Sequence, residues 1–429
     1  MPPKISLIGA GSVVFARRLL QDVACTPSLK DSYISLMDID EERLTVIGDF
    51  AKKLFAEVGS DARIETTTDR RGSLTDADYV LTTIRVGDTF ERDIDIPRKY
   101  GIDQAVGDTV GPGGVFKALR TMPVLIDMAL DIDDVAPNAT LLNYTNPMAM
   151  ACWGITSEAD VPTIGLCHSV QRTTQDLADY IGAPRGDVSA WVAGINHLAW
   201  FMRFEQKGED AYPALREAMN NPEIFALDTV RFEVMKHFGY FVTESTRHMS
   251  EYVPYFRTDD KVMDEFRLNE IRQDLQRRVK RVDDHMTQLE RDAYSDDPIG
   301  PIRSDEYACR IMEAMETDDK IVINGNVPND GLIDNLPYGS CVEVPILIDE
   351  LGFHPMPVGE LPPQCASLSR ANVAVQEMGV TAVLERSREA AFHAVALDPL
   401  TGAILSLEQI REMFDEMWEA HGDELAEYN

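Results

Sequence analysis

The chain has 429 residues, 44% of them hydrophobic, and its 73 acidic against 40 basic side chains give a net charge of −33. That length implies two domains, or one large α/β domain with an elaborated second half, and the acidity, with no basic tract to offset it, excludes nucleic acid as a partner. No run approaches the ~20 apolar residues of a membrane span, no charged leader precedes the first strand, and six cysteines in so long a chain form no disulfide scaffold, so a cytoplasmic protein with free thiols and no membrane contact is expected.

The opening KISLIGAGSVVFARRLLQDVAC reads as a buried strand, a glycine turn and a helix with Val14, Leu19, Leu20 and Val23 on one face. Gly9 and Gly11, with Ser12 in the same turn, would let the backbone approach a pyrophosphate at the helix N-terminus. Asp38, closing the next apolar run YISLMDID, is placed to accept hydrogen bonds from an adenosine ribose, which predicts NAD rather than NADP. Val14 replaces the third glycine of G-x-G-x-x-G, so the motif alone is weak, and a βαβ unit without nucleotide stays the alternative.

Strand-like runs at 76–84, 139–145 and 161–167 alternate with helix-like segments near 41–57, 114–134 and 147–157, the pattern of a doubly wound parallel sheet. GDTVGPGG (107–114) is too glycine-rich for an element interior and predicts a loop at the ligand edge of that sheet. Pro147 suits a first helical turn, leaving Asn146 equally able to cap the helix or face a ligand.

GLCHSVQ (165–171) sets Cys167 beside His168 at a strand end, where a thiol is ordinarily a small core residue. Beyond about residue 190 the pattern changes to longer helices (227–239, 262–293, 303–316), strand-like 321–325 and 341–349, and a helical block over 362–396 and 406–420. This predicts a first, nucleotide-binding domain over 1–190 and a mixed α/β domain over 191–429. His197, in GINH, would complete a borderline-metal site with Cys167 that leaves positions open for substrate oxygens, although a lone His beside Asn is more often a hydrogen-bonded structural residue.

LIGAGS, LMDID, IRVGD, GDTVGPGG, LLNYTNPMAM, GLCHSV, GINH and NVPNDGLIDNLPYGSCVEVP occur in this order. In this set the chain resembles glycoside hydrolase family 4, and most closely its α-galactosidase branch, over nearly all its length. The resemblance implies a Rossmann-like domain plus a second α/β domain of lactate/malate dehydrogenase-like type, and a need for NAD and a divalent metal, commonly Mn2+. It implies redox-assisted elimination, in which sugar C3 is oxidised, the C2 proton is removed, the aglycone leaves C1, water adds and C3 is reduced again. Residue by residue it implies Cys167 and His197 as metal ligands, His168 as proton donor, Glu244 as the C2 base with Tyr252 as runner-up, and Arg92, Asp108 and Asn146 at the substrate.

CHSV resembles the α-galactosidase form, and 244–270 shows no basic phosphate-reading motif, so unphosphorylated α-glycosides are expected: α-galactosides such as melibiose, then α-galacturonides, then α-glucosides. The resemblance also implies a homodimer or homotetramer. From a different class, a 2-hydroxy acid dehydrogenase would use the same nucleotide fold with no metal at Cys167, and an NAD-sensing binding protein would show no turnover.

Overall fold

The computed structural model describes residues 2–87, 91–271 and 275–429; Asp88 of IRVGD and residues 272–274 of the helix expected over 262–293 lie outside them. The first six strands are β1 (Lys4–Ile8), β2 (Tyr33–Met37), β3 (Arg63–Thr67), β4 (Tyr79–Thr82), β5 (Thr140–Asn143) and β6 (Thr163–Gly165). They pair in parallel in the order β3-β2-β1-β4-β5-β6, with Lys4 opposite Tyr33 and Ile5 opposite Tyr79. This is the doubly wound arrangement that the alternating pattern predicts. YVLT and TLLN are buried throughout, as a strand covered on both faces requires. The strand RIETT, at the sheet edge, is exposed or half-buried throughout, which explains why no apolar run announces it.

The second half extends the same sheet. It adds β7 (Val188–Ile195), β8 (Leu198–Gln206), β9 (Glu209–Asp210), β10 (Ile321–Pro328), β11 (Cys341–Asp349) and β12 (Gly352–Pro355). The antiparallel pair β10–β11 is seated between β6 and β7, with Asn326 opposite Gly165 and Glu343 opposite Gly194. The sheet therefore passes without a break across residue 190, which falls inside β7.

Two expected elements differ in the structure. The glycine stretch is not all loop: a helix starts at Gly111 and runs to Val135. A Cβ on Gly113 would lie 2.4 Å from the Gly107 carbonyl oxygen and 2.5 Å from that of Asp93, and one on Gly114 would lie 2.5 Å from the Thr109 carbonyl carbon. These glycines admit neighbouring backbone against the first helical turn rather than ending the helix. The block over 362–396 is two helices, Pro363–Leu384 and Arg388–Leu397, separated where Arg386 turns left-handed and Ser387 accepts a 3.1 Å hydrogen bond from the Ala390 amide. No described helix is long and apolar enough to cross a membrane.

Candidate active site

The C-terminal ends of β1 and β2 form one wall of the site. Gly9 has φ +87°, and a Cβ there would lie 2.9 Å from the Thr83 carbonyl carbon, so the turn admits only glycine without strain. The Gly11 amide donates to Asp38 Oδ2 at 2.7 Å and the Asp40 amide to Asp38 Oδ1 at 3.0 Å, which fixes the carboxylate across the turn. The Ser12 amide donates to the Gly9 carbonyl at 2.9 Å, and the helix Phe15–Cys25 follows. Ile39, the next residue, is 88% exposed. Carboxylate oxygens with lone pairs to spare, beside a glycine turn and a helix start, suit a ribose and a pyrophosphate.

A second wall comes from the other half of the sheet. Asn196 and His197 form the turn between β7 and β8. The segment before Glu244 is tied to β8 by hydrogen bonds from the Phe201 amide to the Phe241 carbonyl, 2.9 Å, and from the Thr243 amide to the Ala199 carbonyl, 2.8 Å. The chain then turns at Glu244, Ser245 accepts a 3.3 Å hydrogen bond from the His248 amide, and the helix Thr246–Tyr252 begins. Thr246 anchors this start by donating to the buried Asp228, which also pairs with Arg231. Both His197 (φ +62°) and Glu244 (φ +73°) are non-glycine residues in the left-handed region, each a strain of order 1–3 kcal/mol that the surrounding structure must offset.

One ligand atom each from His197, Glu244 and His248 lies within 4.8 Å of the others. The two rings stand 4.6 Å apart, and His248 Nδ1 is 3.6 Å from Glu244 Oε2. Burial works against ionisation of Glu244, yet His197 and His248 outweigh it and hold the carboxyl well below the usual range. His197 Nδ1, His248 Nε2 and Tyr252 Oη are buried with no hydrogen-bond partner among the described residues. Orphaned imidazole nitrogens beside an ionised carboxylate fit a divalent cation, since such atoms otherwise forfeit hydration without return.

Cys167 borders this cluster at the end of β6, its thiol 3.3 Å from Ser169 Oγ; burial and the Glu244 carboxylate push it up to about 12. Glu343, the third residue of β11, is wholly buried, with neither carboxyl oxygen hydrogen-bonded among the described residues. Burial and the nearby Cys167 raise it well above the usual carboxylate range, against the pull of His197.

The 104–109 loop closes the site from a third side. Asp108 lies 3.2 Å from Lys117 Nζ and accepts from Thr109 Oγ1 at 2.9 Å. Burial opposes its ionisation, but Lys117 and His248 prevail and hold it down to about 2. The Tyr252 ring contacts both histidines, at 5.4 Å from His248 and 6.5 Å from His197. Burial, then the Glu244, Glu251 and Asp108 carboxylates, push its phenol well above the ordinary value.

Of the twelve residues that the sequence singles out, Glu244, Tyr252, Asp108, Cys167 and His197 converge here, and Gly9, Gly11, Ser12 and Asp38 form the nucleotide-type edge. The remaining three are engaged with partners outside this cluster. Asn146 Oδ1 accepts from the amide of Met148, the first residue of the helix Met148–Glu158, at 3.2 Å. Arg92 donates to Glu424 at 2.9 Å and to the Ala420 carbonyl at 3.2 Å, toward the C-terminal helices. His168 has a side chain 44% exposed, with Nδ1 3.9 Å from Glu306, itself 3.8 Å from Arg18. Sequence reasoning passed over His248, although Glu244 and His248 are four residues apart at a helix start, and Glu343, although an acid in the apolar run CVEVPILID is a visible anomaly.

Comparison with known proteins identifies the family. Residues 4–183 match the model of the family 4 glycosyl hydrolases and residues 192–401 that of the family 4 glycosyl hydrolase C-terminal domain. The chain is 40% identical to an α-galactosidase of Bacillus subtilis over 99% of both chains. It is 31% identical to an α-galacturonidase of Thermoanaerobacterium saccharolyticum over 97% of this chain and 95% of that one. A 6-phospho-α-glucosidase from gut microorganisms, solved in complex with NAD and Mn2+, shares the fold at a TM-score of 0.82 and 23% identity, covering 99% of each chain. More distantly, a malate dehydrogenase of Cryptosporidium parvum superposes at a TM-score of 0.55 and 16% identity over 90% of this chain and 100% of that one, in keeping with the expected dehydrogenase-like architecture. With two consecutive family models spanning most of its length and a full-length relative at 40% identity, the chain belongs to glycosyl hydrolase family 4.

Proposed function

We propose that the chain hydrolyses unphosphorylated α-glycosides, α-galactosides such as melibiose first, with NAD and a divalent cation such as Mn2+. The observation that carries this reading is the set of buried atoms without partners among the described residues, His197 Nδ1, His248 Nε2 and Tyr252 Oη, beside the Glu244 carboxylate, in a chain 40% identical from end to end to an α-galactosidase. Gly9, Gly11, Ser12 and Asp38 would hold the dinucleotide. His197, Glu244 and His248, with Cys167 beside them, would hold the cation. When bound, these groups supply a hydride acceptor and a Lewis acid for two vicinal sugar oxygens.

The chain's own residues supply the rest. Glu244, read from sequence as the C2 base, is better suited as a ligand, because its carboxylate shares one cluster with His197 and His248, all three ligand atoms within 4.8 Å of one another, and a carboxylate engaged by a cation would be a weak proton acceptor. Tyr252 then takes the base role at its phenol oxygen, which requires the phenolate; burial and the surrounding carboxylates oppose that form, and a cation held beside the ring would favour it. Asp108, kept ionised by Lys117, accepts hydrogen bonds from sugar hydroxyls. His168, at the rim with Nδ1 toward Glu306, has Nε2 left to protonate the departing aglycone. Arg92 and Asn146 would reach substrate only after leaving the partners they now hold.

Nitrophenyl α-galactoside, α-galacturonide and α-glucoside, assayed with and without NAD and Mn2+, test the reading. Cleavage of the galactoside that needs both additives and accumulates no NADH is expected. Preference for the galacturonide moves the substrate to the class of the 31% relative. Stoichiometric NADH formed from a 2-hydroxy acid would overturn the proposal.

A further inference from the structure

The helix that carries His248 and Tyr252 also carries Glu251, which is fully buried and belongs to none of the roles above. Its carboxylate collects three successive backbone amides: Ala105 at 2.6 Å and Val106 at 2.7 Å on Oε1, and Gly107 at 3.0 Å on Oε2. Gln104 Nε2 lies 3.4 Å from Oε2 and 3.1 Å from the Val110 carbonyl. Two residues from the same stretch reinforce the hold, since Arg257 donates to the Asp103 carbonyl and to Ser250 Oγ, both at 2.7 Å. Consecutive amides turned onto one anion form a nest, and hydrogen bonds to an ionised acceptor are about twice as strong as neutral ones.

The next residue after the three amides is Asp108. Its place beside Lys117, His248 and Tyr252 therefore depends on the register of 105–107. We infer that Glu251 is a positioning residue: by gathering the amides of 105–107 it fixes Asp108 relative to Tyr252 and His248, without itself touching substrate. A single helical turn spans His248, Glu251 and Tyr252, so the base, one histidine of the cation cluster and the clamp on the opposite loop move as one rigid piece. Gln in place of Glu251 would keep the volume but present an NH2 group to donors, leaving at least one amide facing another donor.

The inference rests on the glycosidase reading for its activity readout only. Glu251→Gln, Asp108→Asn and the double variant of the full chain are compared on nitrophenyl α-galactoside with NAD and Mn2+, alongside hydrogen exchange at the amides of 105–107. Glu251→Gln alone is expected to lower kcat/KM about 100-fold. In the Asp108→Asn background the same change should cost less than about threefold, and exchange at 105–107 should quicken wherever Glu251 is replaced. Equal losses in both backgrounds, or unchanged exchange at 105–107, would overturn the inference. If Glu251→Gln does not fold, Glu251→Asp, which keeps the charge on a shorter stem, is read in the same cycle. A wild-type chain that cleaves no α-glycoside would defeat the functional proposal instead, and the exchange measurement would still decide whether Glu251 holds the loop.

Discussion

The two walls of the cleft are built on opposite plans. At the nucleotide-type wall the groups that matter are mostly backbone, they lie within one βαβ unit, and the acid that shapes the turn already holds the Gly11 and Asp40 amides. At the cation wall the groups are side chains from a hairpin turn, a helix start and a strand end; several are orphaned, and two sit at strained backbone angles. The first wall is complete before any ligand arrives. The second stores unsatisfied atoms that a bound cation would pair, on a backbone held strained at two positions, which is where a folded chain spends stability on function.

Removing one donor from the cation wall should give the largest separation between the two. Glu244→Gln is expected to weaken Mn2+ binding by more than about 100-fold while NAD affinity stays within measurement error, both read by calorimetry. Loss of NAD binding alongside would mean that the walls are coupled. Gly9→Ala should do the converse at a smaller cost: a Cβ 2.9 Å from the Thr83 carbonyl carbon at φ +87° is expected to lower stability by about 1–3 kcal/mol and to impair NAD binding, with Mn2+ affinity retained, as scanning calorimetry and titration would report.

The smallest effect distinguishes charge from strain. The folded chain holds Asp108 down to about 2, below its ordinary 3.8, so its contribution to stability is present above pH ~4 and is lost as pH falls through about 2. Because the side chain is partly exposed, screening should reduce that contribution to about 1 kcal/mol. Asp108→Asn should flatten this part of the acid-unfolding curve; an unchanged slope between pH 4 and 2 would show that Lys117 does not hold the carboxylate as the structure has it.

The same contrast governs what was legible in the sequence. Gly9, Gly11 and Asp38 announce themselves because a strand, a turn and a helix in succession put them together by local geometry alone. Cys167 and His197 stand thirty positions apart, and only the ordered set of motifs joined them. His248 was passed over because its partner His197 is 51 residues away, in a turn between two strands, and its spacing of four from Glu244 at a helix start is a signal too common to single it out alone. GDTVGPGG is a loop over its first half as expected and a helix start over its second: composition shows that glycine is needed, but not that the reason is a carbonyl 2.4 Å from a would-be Cβ. Asn146 and Arg92 were placed at the substrate by resemblance; the hydrogen bond that Asn146 accepts from the Met148 amide is local and belongs to the other reading its position left open, whereas Arg92 reaches Glu424, 332 residues on, which local pattern does not reveal.

The placing of β10–β11 between β6 and β7 has a consequence for synthesis. When the first 206 residues have left the ribosome, β6 and the hairpin β7–β8 exist as sequence, but the two strands that join them are more than a hundred residues from completion. Until residue 349 emerges, β6 and β7 each present an open edge, and Cys167 and His197 belong to unconnected pieces. The late hairpin is the keystone of the sheet, so assembly of the cation wall is timed by the far end of the chain, and a nascent fragment halted before it should carry a nucleotide-type wall with no partner across the cleft.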